Sequence, residues 1–168
     1  SKCLVKMEYQ PFAYEGLYDR YFSLNDPAGR CARYAVDSIF TNDTGKALQS
    51  VAQHFSRAPT KDCHVLAAMN LKIRNQADAC FSWTADAFIG PYAIWDDEQD
   101  DARNFDWLKG FDPLLNPFAM GRYVNEIEGR NNPDRYRQCF TDTNWQRLQA
   151  LRRQYDPNGV FHGYLGHG

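Results

Sequence analysis

The sequence predicts an α+β fold: an antiparallel β-sheet with helices packed mainly on one face. Three observations point there. Strand-like segments follow one another in series, with helices between only some of them. Two segments place apolar residues at helical spacing behind N-cap residues. Aromatics make up 15 % of the 168 residues, enough rings for a sizeable core and for a flat apolar pocket.

The elements follow in order. Residues 2–9 are β-branched and aromatic and read as a strand that Pro11 ends. Residues 12–21 form a short helical or irregular aromatic stretch with Leu17, Tyr18 and Tyr21, and residues 25–29 form a loop. Residues 30–40 read as a strand. Thr41, Asn42 and Asp43 are N-cap candidates for a helix to about Phe55, with Leu48, Val51, Ala52 and Phe55 on its apolar face. Pro59 breaks it. Residues 64–73 and 79–95 hold two or three further strands, and Gly90-Pro91 marks a bulge or bend in the second stretch.

The acidic cluster Asp96, Asp97, Glu98, Asp100 and Asp101 suits a helix start, because a helix N-terminus carries partial positive charge. It lacks the glycine and terminal Glu of an EF-hand, so a solvated helix start is expected. Residues 120–127 read as a strand. Thr143-Asn144-Trp145-Gln146 fits a capping box, followed by Leu148, Leu151 and Tyr155 on one side of a helix. Asp156-Pro157-Asn158-Gly159 stops that helix, and residues 160–165 form an aromatic, glycine-rich tail.

Length and charge narrow the function. A chain of 168 residues suits one domain, residues 1–168, with no internal repeat. A net charge of −2 argues against a nucleic-acid partner, and no apolar run approaches a bilayer span, so no membrane partner is expected. The first residues carry charge too early for a signal peptide's apolar core. Five widely spaced cysteines form no C-x-x-C pair and read as structural thiols, which favours a cytoplasmic setting over a secreted one without fixing either. No spacing of His54, His64, His162 and His167 supports a metal, and His54 reads as a surface or satisfied histidine. Neither a G-x-S-x-G elbow nor a nucleotide-binding glycine loop is present. The arginines at 122, 130, 135, 137, 147, 152 and 153 read as a charged outer face or as a surface for an anionic ligand or partner domain.

The pointed signal is Gly121-Arg122-Tyr123-Val124-Asn125-Glu126. On a strand, Tyr123 and Asn125 face the same side. A phenol and a carboxamide there can meet one flat ligand, the phenol as a proton acceptor and the carboxamide as both donor and acceptor.

These residues also belong to a longer pattern. Tyr123-Val124-Asn125, then Asn144-Trp145-Gln146-Arg147-Leu148, then Tyr155-Asp156-Pro157 with Phe161, resembles the Y-x-N, N-x-x-R-L and Y-D-P-x-x-x-F blocks of the berberine-bridge-enzyme-like FAD-linked oxidases. Upstream, Ala77-Asp78-Ala79-Cys80-Phe81-Ser82-Trp83 is similar to that family's A-T-A-F-x-H-R strand. Leu66-Ala67-Ala68-Met69 stands where the family has L-G-G-A, and Trp95 and Trp107 bracket the acidic helix as the family's tryptophans do.

The resemblance implies the substrate domain of the vanillyl-alcohol-oxidase-like flavoproteins, with residues 120–168 as a berberine-like C-terminal segment. It implies Tyr123 as the catalytic, substrate-side proton acceptor and Asn125 as a flavin contact. Met69 and Asn70 are implied as substrate-binding residues, and the Asp156-Pro157 turn as leading the tail back towards the flavin domain. The implied activity is oxidation of an alcohol, amine or sugar by hydride transfer to FAD. The implied partners are an FAD-binding domain of the same protein and a small organic substrate.

Departures qualify this. Ala67-Ala68 replaces two glycines, Glu126 stands where the family often has Tyr, and Ser82-Trp83 replaces His-Arg, which removes a polar role there. Nothing corresponds to the family's flavin-binding domain, so no FAD is expected on this chain alone. The chain is expected to be one piece of a longer flavoprotein, inactive without its flavin domain. The alternative is a free-standing, flavin-less binding or dimerisation module, which would act as a homodimer.

Overall fold

The computed structural model describes residues 13–25, 32–69 and 79–161. The chain divides into two compact units, Ser1–Ala32 and Arg33–Gly168. The strand expected at residues 2–9, Cys3, Cys31 and the tail histidines lie outside the described residues. In the first unit, the aromatic stretch is a helix, α1 (Tyr14–Asn25), with Tyr18 and Phe22 stacked at 6.3 Å between ring centroids.

The second unit is α+β, as expected. Its sheet holds β1 (Arg33–Val36), β2 (Ile39–Thr41), β3 (His64–Met69) and β4 (Ala87–Trp95), all antiparallel. β4 is central. One of its edges pairs with β1 and β2, and the other with β3. All nine β4 residues are buried, which explains an apolar run without alternation.

Gly90-Pro91 makes no bulge. The pairing Val36↔Tyr92 resumes at Ile39↔Ile89 in unchanged register, so β1 and β2 are one line interrupted at Asp37-Ser38. Proline supplies the reason. Pro91 accepts from Asp37 N through its carbonyl (3.3 Å) but has no N–H to return. The missing donor points at β1 and β2, so the β3 ladder passes Pro91 unbroken as Val65↔Pro91.

Helices cover one face of this sheet. α2 (Thr44–Phe55), α3 (Asp101–Lys109) and the short α4 (Asp112–Leu115) bring Ala47, Val51, Trp107, Leu108 and Leu115 onto Ile39, Ile89, Ala93 and Trp95. In α2 the buried side is Ala47 and Val51 with Leu48, while Ala52 and Phe55 are exposed. The inward face runs on through His54 instead, whose Nε2 meets the Trp107 carbonyl at 2.8 Å and whose ring packs edge-on to Phe111. It is a satisfied histidine.

The acidic start of α3 is exposed from Asp96 to Asp100, with Asp97 accepting from Gln99 N at 3.0 Å. Asp101 differs. It takes a two-pronged bond from Arg33 at 2.7 Å and a third bond, from the Trp95 indole, at 2.7 Å.

Three expectations are corrected. Residues 79–86 form no strand. Ser82 Oγ instead accepts from Thr141 N and Asn144 Nδ2, both at 3.0 Å, so the position keeps a polar role. α5 (Asp142–Tyr155) starts earlier than the expected box, because Thr141 rather than Thr143 caps it by accepting from Asn144 N. Residues 120–127 make only one bridge, Gly121 to Phe40, before turning away. That bridge covers the outer edge of β2, through Phe40 N to Gly121 O and Met120 N to Phe40 O, each 2.8 Å.

The arginine stretch is not simply an outer face. Arg122 and Arg135 are each 5 % exposed, as is Asp37 between them. Arg122 bonds Asp37 Oδ1 (2.9 Å), the Ser38 carbonyl (3.1 Å), Asn116 (2.6 Å) and Gln138 (2.8 Å). Arg135 bridges Asp37 and Asp112. Burial pushes the Asp37 carboxyl up and the Arg122 guanidinium down, since it penalises both charges. Burial also opposes the charge of Arg135, but the carboxylates of Asp37 and Asp112 outweigh it and its pKa is raised.

Cys63, Cys80 and Cys139 are free, and burial pushes the Cys139 thiol up to about 12, so it is inert as a thiolate. Among the described residues no helix is long and apolar enough to cross a membrane.

Two outcomes follow. Arg135→Met leaves Asp37 and Asp112 facing one guanidinium, and urea unfolding should show a loss of about 3–5 kcal/mol; a loss below about 1 kcal/mol would contradict the pairing. The second concerns pH. Arg33, then the Trp95 indole, hold the Asp101 carboxyl below its ordinary 3.8. A folded pKa below the unfolded one means the pair stabilises above the ordinary carboxylate range and fades as pH falls through the lowered value. The gap in Tm between the parent chain and Asp101→Asn should therefore close on acidification, and a gap independent of pH would count against it.

Candidate functional site

The sheet face opposite the helices carries the site. Strand alternation sends Leu66, Ala68, Phe88 and Phe40 to that side, away from the α2–α4 core. They join Phe81, Tyr123 and Glu126 around a cavity of about 460 Å³. Its rings meet edge to face: Phe40–Phe81 and Phe40–Phe88 at 5.8 Å, Phe81–Tyr123 at 6.4 Å and Phe88–Tyr123 at 6.2 Å.

Tyr123 and Asn125 do come together, though not by strand alternation. Glu126 N bonds Tyr123 O at 3.0 Å and closes a turn. Within it, Asn125 Nδ2 donates to Tyr123 Oη at 3.0 Å. The turn hangs on Ser38, which is 1 % exposed. Its hydroxyl accepts from Tyr123 N at 3.2 Å and donates to the Glu126 carbonyl at 2.6 Å. Ser38 lies in the interruption that Pro91 opens, and its neighbour Asp37 holds Arg122, the residue before Tyr123. The break in the ladder thus supplies both anchors of the site.

Gly121 allows close approach beneath the turn. A Cβ there would run into the Trp83 indole, which packs with Phe40, Phe88 and Tyr123.

The other expected residues are placed differently. Met69 ends β3 on the side of Val65 and Ala67, 61 % exposed, and does not reach Tyr123. Leu66 and Ala68 line the cavity instead, so the second alanine of the L-G-G-A position supplies a methyl wall. Asn70 lies outside the described residues.

Sequence reading missed Asp37, Ser38 and Tyr92 and gave Glu126 no role. A charged residue between Val36 and Ile39 in an apolar strand was the available signal. Tyr92, 4 % exposed, donates from its hydroxyl to Glu126 Oε2 at 2.5 Å.

Two other clefts are larger, about 640 and 540 Å³, and flank the buried ion cluster. Their buried arginines are already bonded to Asp37 and Asp112, which leaves the apolar cavity as the better ligand site. Among the described residues no group of His, Cys, Asp and Glu is set to hold a metal ion.

For an FAD group the fit is partial. The aromatic walls and the Tyr123–Asn125 pair suit a flat ring, but among the described residues no glycine-rich turn leads into a helix to cradle phosphates.

No family model matches the sequence, and no curated protein matches it. Solved structures do match its fold. Physcomitrella patens BBE-like 1 superposes with TM-score 0.66 at 14 % identity over 88 % of this chain and 34 % of that one. CrmK, a flavoenzyme involved in shunt product recycling in caerulomycin biosynthesis, gives 0.64 at 17 % identity over 78 % and 31 %. GilR, an oxidoreductase that catalyses the terminal step of gilvocarcin biosynthesis, gives 0.63 at 21 % identity over 78 % and 32 %. The chain spans about a third of each of these proteins. Its α+β fold is therefore that of a region of BBE-like flavin-linked oxidoreductases, the fold its motifs implied.

Proposed function

We propose that this chain is the substrate-covering portion of an FAD-dependent oxidoreductase whose flavin is held by a separate domain. The observation that carries the reading is the open face itself. A sheet packed against helices on one side presents, on the other, an aromatic cavity with Tyr123 and Asn125 at its rim. The shared fold and the three C-terminal motif blocks support the same reading.

FAD, when bound in the whole protein, supplies the acceptor for the two electrons removed from an organic substrate. The residues of this chain do the rest. Phe40, Phe81 and Phe88 take a flat substrate and exclude water from it. Tyr123 Oη takes a proton from the substrate's alcohol or amine group. Asn125 fixes that oxygen through its 3.0 Å bond and offers its exposed carboxamide to the flavin ring edge. Asp156 accepts from Val160 N (2.6 Å) and Phe161 N (3.0 Å) and so fixes the turn after α5, the turn that the motif resemblance implies leads to the flavin domain.

The test uses the natural protein that carries this chain, captured from its source with an antibody to the chain. It should be yellow, with a flavin spectrum; a colourless protein would overturn the reading and favour a flavin-less binding module. With an alcohol, amine or sugar that bleaches the flavin, Tyr123→Phe should slow that bleaching about 10²–10⁴-fold. Unchanged bleaching would remove Tyr123 from the chemistry.

A further inference from the structure

Among the described residues the cavity lining is neutral except at one point. Phe40, Phe81, Phe88 and Tyr123 supply rings, Leu66 and Ala68 supply methyl groups, and Glu126 supplies the one carboxylate. Among the described residues, no Lys, Arg or His lines it. Of the arginines in the adjoining segment, Arg122 and Arg135 are bonded to Asp37 and Asp112, Arg137 is bonded to Asp142, and Arg130 lines the cleft of about 540 Å³ instead. The histidine of this face, His64, stacks on Tyr92 at 4.8 Å and holds its Nδ1 at 3.0 Å from the Asp62 carbonyl.

Glu126 is held in place with no cationic partner among the described residues. Its Oε2 takes the buried Tyr92 hydroxyl at 2.5 Å, and its backbone is fixed by Ser38 and Tyr123. Among the described residues its Oε1 takes no hydrogen bond. A tyrosine donor anchors the carboxylate but brings no positive charge to it. Ring faces carry negative potential, and a fixed carboxylate beside them adds a full negative charge. Both favour a cation, and neither favours an anion.

We propose that this cavity binds an organic ammonium, a protonated or quaternary amine, with Glu126 Oε1 as its counter-ion and the four rings as its walls. The inference rests on the reading of this face as substrate-facing and narrows the substrate class. An alcohol or sugar would leave Glu126 without a cation, and an anionic substrate would meet it head on.

The test is made on the 168-residue chain, following its aromatic side-chain NMR signals during titration. Three probes of similar shape are benzyltrimethylammonium, its neutral carbon isostere neopentylbenzene, and phenylacetate. The ammonium should bind roughly tenfold more tightly than the neutral isostere, and phenylacetate more weakly than both. Glu126→Gln should bring the ammonium down to the neutral level. Tyr92→Phe, which frees the carboxylate without removing it, should cost less than that. Equal binding of the ammonium and its isostere, or an unchanged ammonium affinity in a folded Glu126→Gln chain, would overturn the proposal. The flavin plays no part in this assay. A colourless natural protein that still prefers the ammonium would sink the oxidoreductase reading alone, and a yellow one with no such preference would sink the ammonium site alone.

Discussion

The Asp37 carboxylate lies between two buried guanidinium groups, and the chain from α4 to the 3-10 turn Pro133–Cys139 is tied to it at several points. Arg122 reaches it from the segment that leads into the Tyr123 turn, and Arg135 from the 3-10 turn Pro133–Cys139. Through Asp112 the same cluster holds α4, and through Asn116 and Gln138 it holds the chain on either side. Burying such charges costs several kcal/mol per ion before any pairing is counted. The net contribution to stability is therefore small, while the cost of removing one member is large. What the cluster supplies is position: these groups must meet, so the C-terminal segment can lie on the sheet edge in only one way.

A single proline prepares that arrangement. Pro91 sits in the central strand, where proline is normally excluded, and its missing N–H interrupts the facing ladder at Asp37-Ser38. The two residues freed there serve opposite sides. Asp37 takes the arginines, and Ser38 clasps the backbone of Tyr123 and Glu126. Packing against α2–α4 backs the other face of the sheet, so the strand side of the cavity is a supported wall with one anchored turn at its rim. That is a suitable platform for ligand contacts, which need positional accuracy more than mobility.

Local signals were legible and non-local ones were not. The apolar run of β4, the existence of α2 and the stop at Asp156 were all readable from neighbours in sequence, whereas the buried face of α2 was not. Thr141 and Thr143 offer similar capping chemistry two positions apart, and only the packing of Asn144 on Ser82 chooses between them. Tyr123, Asn125 and Ile127 imitate strand alternation, yet the turn through Ser38 decides their geometry. Asp37 finds partners 85 and 98 positions away, a distance at which no window of sequence carries a pattern. Tyr123 and Asn125 thus meet through a turn, not through the strand alternation that was the local reason for pairing them. Met69 was carried along by its neighbours, and strand alternation sends it to the other side.

The functional reading depends on the clamp as directly as the fold does, because the turn that presents Tyr123, Asn125 and Glu126 has no ladder of its own. Native-state hydrogen exchange in the parent chain and in Asp37→Asn tests this most directly. Arg122 should lose its carboxylate partner and release the turn. The Tyr123 and Glu126 amides should then lose protection by about tenfold or more, while the Ile89 and Ala93 amides in β4 keep theirs. Equal protection at Tyr123 and Glu126 in both proteins would show that the turn holds itself, and that the buried clamp does not build the site.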